Sequence, residues 1–176
     1  MIVTGFGPFG PASHVAHEEN PAELIARGVG AVGWESHILP VTYSGVQAAA
    51  GILGNTDPVI CIGVAANRKE PKLEKVAINW ARAGINDNDG VIATGYRLDP
   101  DGPDGVFSPL DVESMAERAN IGISYSAGTF VCNALAYHMY RTRPAVFLHV
   151  PPVTHLSVAD GIDLVLRLGE AWSASS

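Results

Sequence analysis

Cysteine is scarce in this chain. Only Cys61 and Cys132 occur in 176 residues, and they form no Cys-x-x-Cys pair. A disulfide framework is therefore excluded, and reduced thiols fit a cytoplasmic setting. Positive charge is scarce as well. Eleven Lys and Arg stand against 18 Asp and Glu, for a net charge of -7. With no basic patch to offset that balance, nucleic-acid binding is not expected. No apolar run approaches the ~20 residues of a membrane helix. The chain opens on a strand-like Met1-Ile2-Val3-Thr4 rather than a basic and apolar leader, so no membrane partner is expected either. His14, His17, His37, His138 and His155 show no HExxH or other ligand spacing, and no metal is assigned. Ser124-Tyr125-Ser126-Ala127-Gly128 is not a Gly-x-Ser-x-Gly elbow, which argues against a serine hydrolase.

What is present suits one domain over residues 1–176. Hydrophobic residues make up 47% of the chain, enough for a proper core. Residues 1–4, 37–41, 58–62, 73–79, 92–98, 121–125 and 145–150 read as strands. The continuous apolar run Pro58-Val59-Ile60-Cys61-Ile62 before Gly63 marks a central strand buried on both faces. Helices are expected from Asn20-Pro21, where Asn caps and Pro takes the first helical position. Others are expected from Ser44 to about Leu53, from Pro109 to Asn120 and from Val131 onward. A last one follows Ser157-Val158-Ala159-Asp160, a capping box with Asp in place of Glu. Residues 99–108 read as a polar surface loop and 86–90 as dense turn chemistry. The alternation predicts an α/β fold, a single three-layer α/β/α domain with a twisted, largely parallel central sheet.

The stretch from Ile121 to Arg143 carries the clearest chemical signal. A strand-like start and a Ser126-Ala127-Gly128-Thr129 turn lead into a helix, which puts Cys132 in the helix's first turn. Free N–H groups and the helix dipole favour an anion there, so a lowered thiol pKa is expected. Cys132 reads equally well as a small core hydrophobe. Ligands of open α/β sheets bind at the carboxyl ends of strands, where Phe6, Phe9, Cys132 and His149 are placed. A Cys and a His at adjacent strand ends would make a nucleophile and its base. Glu74 and Glu70 are the candidates to orient the imidazole. A strand-end histidine is also an ordinary core residue, and Glu74-Lys75 also reads as a solvated edge pair. Gly5-Phe6-Gly7-Pro8-Phe9-Gly10 formally matches Gly-x-Gly-x-x-Gly. However, the helix begins only at Asn20 and no acidic residue ends the second strand, so dinucleotide binding fits poorly.

Four stretches together resemble the pyroglutamyl peptidase type I (pyrrolidone carboxyl peptidase) family of cysteine peptidases. They are Val3 to Gly10, Glu74 to Asn79, Ser126 to Asn133 (SAGTFVCN) and Phe147 to Pro151, with Asn20-Pro21 matching as well. The resemblance implies an α/β/α domain that removes N-terminal pyroglutamate from peptides without a cofactor. It makes Cys132 the nucleophile, His149 the base and Glu74 the orienting carboxylate, with Phe6, Phe9 and Asn20 around the lactam ring. An aromatic pocket would accept this flat neutral ring and exclude a charged free amino terminus. The family's GQAGGR reads Gly63 to Arg68 (GVAANR) here, so a substrate-side Gln is Val64. In the family's DARIPDN stretch the Arg is replaced by Gly84. These departures imply slower and less selective turnover, or a non-catalytic or differently specific relative that binds a small cyclic amide. Oligomeric state, a homo-oligomer included, is left open.

Overall fold

The computed structural model describes residues 1–10, 20–53 and 57–173. Its central strand is β3 (Val59–Val64), buried at all but its last residue. β1 (Ile2–Phe6) flanks it on one side and β10 (Ala145–Val150) on the other, both buried along their whole length. The three run parallel, with Thr4, Cys61 and Phe147 in register. β2 (Glu35–Leu39) continues the parallel array beyond β1. On the far side, β4 (Lys72–Glu74) pairs antiparallel with β10, and β9 (Gly122–Ser124) pairs parallel with β4. The sheet order is β2-β1-β3-β10-β4-β9.

Helices cover both faces, because strands buried on two sides need two layers to cover them. On one face, α2 (Tyr43–Ile52) and α4 (Val131–Thr142) share a core with Phe147, Val46 and Leu135. On the other, α1 (Pro21–Ala31), α3 (Val112–Ala119) and α5 (Val158–Ser173) pack over Ile60, Leu148 and Val165. Each such fully buried side chain contributes about 1.5–3 kcal/mol relative to exposure. The caps fall where the residue types require them. The Asn20 side chain accepts from the Ala22 N–H at 3.0 Å, and Ser157 accepts from the Asp160 N–H at 3.1 Å while its hydroxyl donates to the Asp160 carboxylate at 2.6 Å. His14 and His17 lie outside the described residues. Among the described residues no helix is long and apolar enough to cross a membrane.

The structure departs from the sequence reading in four places. The run 73–79 is two strands, β4 in the main sheet and β5 (Val76–Ile78) in a separate ribbon. The chain changes sheets at Lys75, whose N–H donates to Ser124 and whose carbonyl accepts from Ser108. The partner of β5 is β8 (Gly105–Phe107), inside the stretch expected to be a loop. Ala81–Asn86 forms a strand, β6, in a hairpin with β7 (Ile92–Tyr96). Asp87 holds the tip of that hairpin by accepting the N–H groups of Asp89 and Val91, and it also accepts the N–H of Tyr43 at the start of α2. Finally, β9 is not adjacent to β10. β4 lies between them, and β9 runs opposite to β10, so Cys132 does not follow a neighbouring parallel strand end. The chain after β9 must turn back before α4 begins.

Candidate active site

α4 begins over the carboxyl ends of β3 and β10. Gly63 pairs in register with His149, and in-register residues project to the same face of a sheet. The imidazole therefore lies on the α4 side, tilted against the Phe147 ring at a centroid distance of 4.8 Å. A Cβ built on Gly63 would lie 3.0 Å from Cys132 Sγ and 2.8 Å from the tip of the Phe147 ring. The absence of a side chain at Gly63 is what lets the thiol settle over the strand end that carries His149. Sequence reasoning passed over Gly63, although its place at the end of the central apolar run was a usable signal.

Glu74 closes the polar line behind the histidine. Its carboxylate is fully buried, and Oε1 lies 2.7 Å from His149 Nδ1. Glu70, the other carboxylate considered, is exposed. Lys75 is not the partner of Glu74 but pairs with Glu113. Burial pushes the Glu74 carboxyl up. Hydrogen bonds from His149 and Ser124 and the charges of His149 and Arg68 outweigh it, so the group sits below the ordinary carboxylate range. Tyr140, two turns along α4 from Cys132, braces the same point. Its hydroxyl donates to the Glu74 carbonyl at 2.6 Å and accepts the Phe147 N–H at 3.1 Å, which inserts it into the ladder between β4 and β10.

The thiol itself contradicts one expectation. Although Cys132 borders a cavity, burial pushes its thiol up to about 12, and the Glu74 charge adds to the rise. The residue's own backbone hydrogen bond opposes it only in part. Desolvation outweighs the helix-end effect that the sequence suggested. The resting form is therefore a thiol, and a nearby base must take its proton as it reacts. Phe130 precedes α4 as N-cap and makes no side-chain capping hydrogen bond. The first-turn N–H groups, Cys132's among them, are thus left without a capping side chain.

The cavity beside Cys132 has a volume of about 520 Å³ and is lined by Phe6, Phe9 and Asn20, the three pocket residues expected. Phe6 is buried and Phe9 is 48% exposed at the rim. The polar atoms of Asn20 are already engaged. Oδ1 caps α1, and Nδ2 donates to the Gly7 carbonyl at 2.8 Å, bracing the turn between Phe6 and Phe9. The structure adds Phe130 and Ile85 to the wall, and Phe130 packs edge-on against Phe9 at 5.5 Å. Val64 also lines the cavity, so the wall is apolar where a Gln was expected. Around Gly84 a Cβ would meet no atom within 4 Å, which leaves open space where an Arg was expected. A wider groove of about 600 Å³ lies between Met1, Trp34 and α5, but it brings no nucleophile and base together.

Comparison with known proteins bears on the family and the fold. The profile described as pyroglutamyl peptidase matches residues 1–164. The pyrrolidone-carboxylate peptidase of Enterococcus faecalis is 36% identical, over 86% of this chain and 78% of that protein. The enzyme of the same name from Bacillus subtilis is 31% identical, over 90% of this chain and 80% of its own. Among solved structures, a pyrrolidone carboxyl peptidase of Pyrococcus furiosus superposes with a TM-score of 0.86 at 24% identity, covering 99% of this chain and 98% of that one. One from Fervidobacterium islandicum gives 0.85 at 24% identity, covering 98% and 97%. These structural likenesses bear on the fold, a three-layer sandwich with a mostly parallel sheet. The profile match and the relatives above 30% identity bear on descent, and by them this chain belongs to the pyroglutamyl peptidase family.

Proposed function

We propose that this chain removes an N-terminal pyroglutamyl residue from peptides, with Cys132 as nucleophile, His149 as base and acid, and Glu74 as the group that orients His149. The observation that carries the reading is the line from Glu74 Oε1 to His149 Nδ1 at 2.7 Å, with Cys132 Sγ over Gly63 beside it. Nδ1 is held by the carboxylate, so Nε2 is the ring nitrogen left to exchange a proton.

His149 takes the thiol proton as Sγ attacks the carbonyl carbon of the pyroglutamyl residue. The oxyanion that forms lies near the first-turn N–H groups of α4. The carbon–nitrogen bond then breaks, and His149 gives the proton to the departing amine. Water, deprotonated by His149, attacks the thioester. Pyroglutamate leaves and the thiol is restored. Phe6, Phe9 and Phe130 suit a flat uncharged ring, and an apolar wall penalises a charged free amino terminus. The reaction needs a reduced Cys132, which fits a cytoplasmic site of action.

The test is release of a fluorophore from a pyroglutamyl amide, compared with prolyl and alanyl amides, by the unmodified protein and by Cys132→Ser. Cleavage of the pyroglutamyl amide in preference to the prolyl and alanyl amides, abolished in Cys132→Ser, is expected. No cleavage by the unmodified protein would leave the alternative, a relative that only binds a small cyclic amide.

A further inference from the structure

We infer that Arg68 is a fourth, positioning member of the catalytic line, a fixed positive charge that keeps Glu74 ionised whether or not His149 carries its second proton. The inference rests on the Cys132–His149–Glu74 reading above and extends it. Arg68 stands in the loop after β3, where its N–H closes a turn on the Ala65 carbonyl. Its Nη1 lies 2.7 Å from Glu74 Oε1, the same oxygen that meets His149 Nδ1. Its Nη2 donates to Ser124 Oγ at 2.9 Å and reaches the Ser126 carbonyl at 3.4 Å. The guanidinium is therefore fixed from three directions, by β4, by β9 and by the turn leading to α4. Nη1 meets Glu74 as a close ion pair, while Nη2 is the donor that ties the permanently charged group to β9 and the turn.

The physical need follows from burial. Glu74 is 0% exposed and His149 is 5% exposed. During turnover the imidazole alternates between neutral and protonated forms. With His149 as its only partner, Glu74 would be a buried lone carboxylate each time the imidazole is neutral, a state of high cost. Two outcomes would relieve that cost. The carboxyl would take up a proton, or the imidazole would hold its own too firmly to act as a base. Arg68 removes the need for either, because its charge does not change over the cycle. The other charged and titratable groups around the imidazole do not replace it. Cys132 on α4 is a neutral thiol at rest, its ionisation pushed up by burial to about 12. Lys72, opposite His149 on β4, lays its side-chain carbons along Gly122. Tyr140 bonds only the backbone of Glu74 and Phe147.

Both routes opened by losing Arg68 move the acidic limb of activity the same way. A carboxyl that protonates more easily and an imidazole that holds its proton each extend the inactive range to higher pH. The experiment compares the unmodified protein with Arg68→Gln and Arg68→Lys from pH 5 to 9. One readout is hydrolysis of a pyroglutamyl amide. The other is the rate at which iodoacetamide alkylates Cys132, followed by mass spectrometry. Arg68→Gln is expected to lower kcat at least tenfold with KM little changed, and to move the acidic limb of both profiles up by about one pH unit. Arg68→Lys keeps the charge but not the fork. It is expected to hold the limb in place while losing part of kcat. Unmoved limbs in Arg68→Gln, or a Lys variant that behaves as the Gln variant does, would overturn the inference and leave Arg68 a tether for its loop. If the unmodified protein fails to cleave the amide, the proposed function falls instead. The alkylation profiles then still decide the role of Arg68.

Discussion

Cys132 Sγ occupies the space into which a side chain at Gly63 would grow, 3.0 Å from the position of its missing Cβ. The same Cβ would stand 2.8 Å from the Phe147 ring, which is fully buried and against which His149 is tilted. A single methyl at residue 63 would therefore press directly on the thiol and on the Phe147 ring that His149 rests against.

Gly63→Ala tests this directly. Overpacking of a buried site costs about 1–3 kcal/mol, so the denaturation midpoint should fall by a matching amount. Hydrolysis should fall far more than stability, because displacing the thiol or the imidazole by a fraction of an ångström spoils the attack geometry. A variant with unchanged turnover would show that Cys132 does not work from over Gly63.

The raised thiol gives a second expectation. Burial pushes both cysteines up to about 12, yet Cys132 borders a cavity and lies over Gly63, the in-register neighbour of His149, while Cys61 is buried within β3. Iodoacetamide should label Cys132 in the native protein and spare Cys61. His149→Ala should slow that labelling at pH 7, since little thiolate forms at such a thiol without a base to take its proton. Labelling of Cys132 that ignores His149, or preferential labelling of Cys61, would remove Cys132 from the role of base-assisted nucleophile.

Much of this architecture was legible in the chain, and the gaps have definite causes. β1, β3 and β10 are dense apolar runs, so their burial shows in composition. Leu73 to Asn79 reads as one strand, and nothing local marks Lys75 as the point where the chain changes sheets. β6 reads Ala-Arg-Ala-Gly-Ile-Asn, with only Ile85 favouring a strand. It exists because β7 pairs with it and Asp87 ties the hairpin tip to α2. The direction of β9 is set by pairing with β4, about 50 residues away in sequence, which no local pattern encodes. The Cys132 shift had the wrong sign for a related reason. A helix start is visible in sequence, whereas the protein packed around it is not. Arg68 was likewise only a loop residue until the fold carried it to Glu74.

Glu74 makes stability and pH interdependent. Its carboxyl is held below the ordinary range in the folded protein. A group with a depressed folded-state pKa contributes stability above its unfolded value, near pH 4.3 for Glu, and that contribution is lost as pH falls through the folded value. Glu74→Gln should therefore lower stability at pH 7 by about 1–3 kcal/mol, and the gap to the unmodified protein should narrow below about pH 4.3. Urea midpoints measured from pH 7 to pH 3 check the sign. Turnover in this variant should fall well beyond the change in stability, since His149 loses its anionic partner. A gap that widens with acidification would mean that Glu74 is not held ionised by its neighbours.

The final expectation concerns Val64 and Gly84, the two positions at which the resemblance implied a polar side chain. Val64 gives the cavity an apolar wall where a Gln was expected, and Gly84 leaves open space where an Arg was expected. The Asn20 amide is not the replacement, because it already bonds Ala22 and Gly7. A missing donor at a developing oxyanion costs about 100- to 1000-fold in turnover. Selectivity suffers too, since apolar walls separate rings of similar shape poorly, whereas a hydrogen bond to a ring polar group separates them sharply. Pyroglutamyl amides should therefore be cleaved slowly, with appreciable cleavage of prolyl amides beside them. Gly84→Arg, which meets no neighbouring atom at its Cβ, should raise kcat. Val64→Gln should widen the ratio of kcat/KM values between pyroglutamyl and prolyl amides. Should the unmodified chain match the Enterococcus faecalis and Bacillus subtilis relatives in rate and selectivity under the same assay, Val64 and Gly84 carry no such cost. The first-turn N–H groups of α4 would then be sufficient on their own to hold the oxyanion.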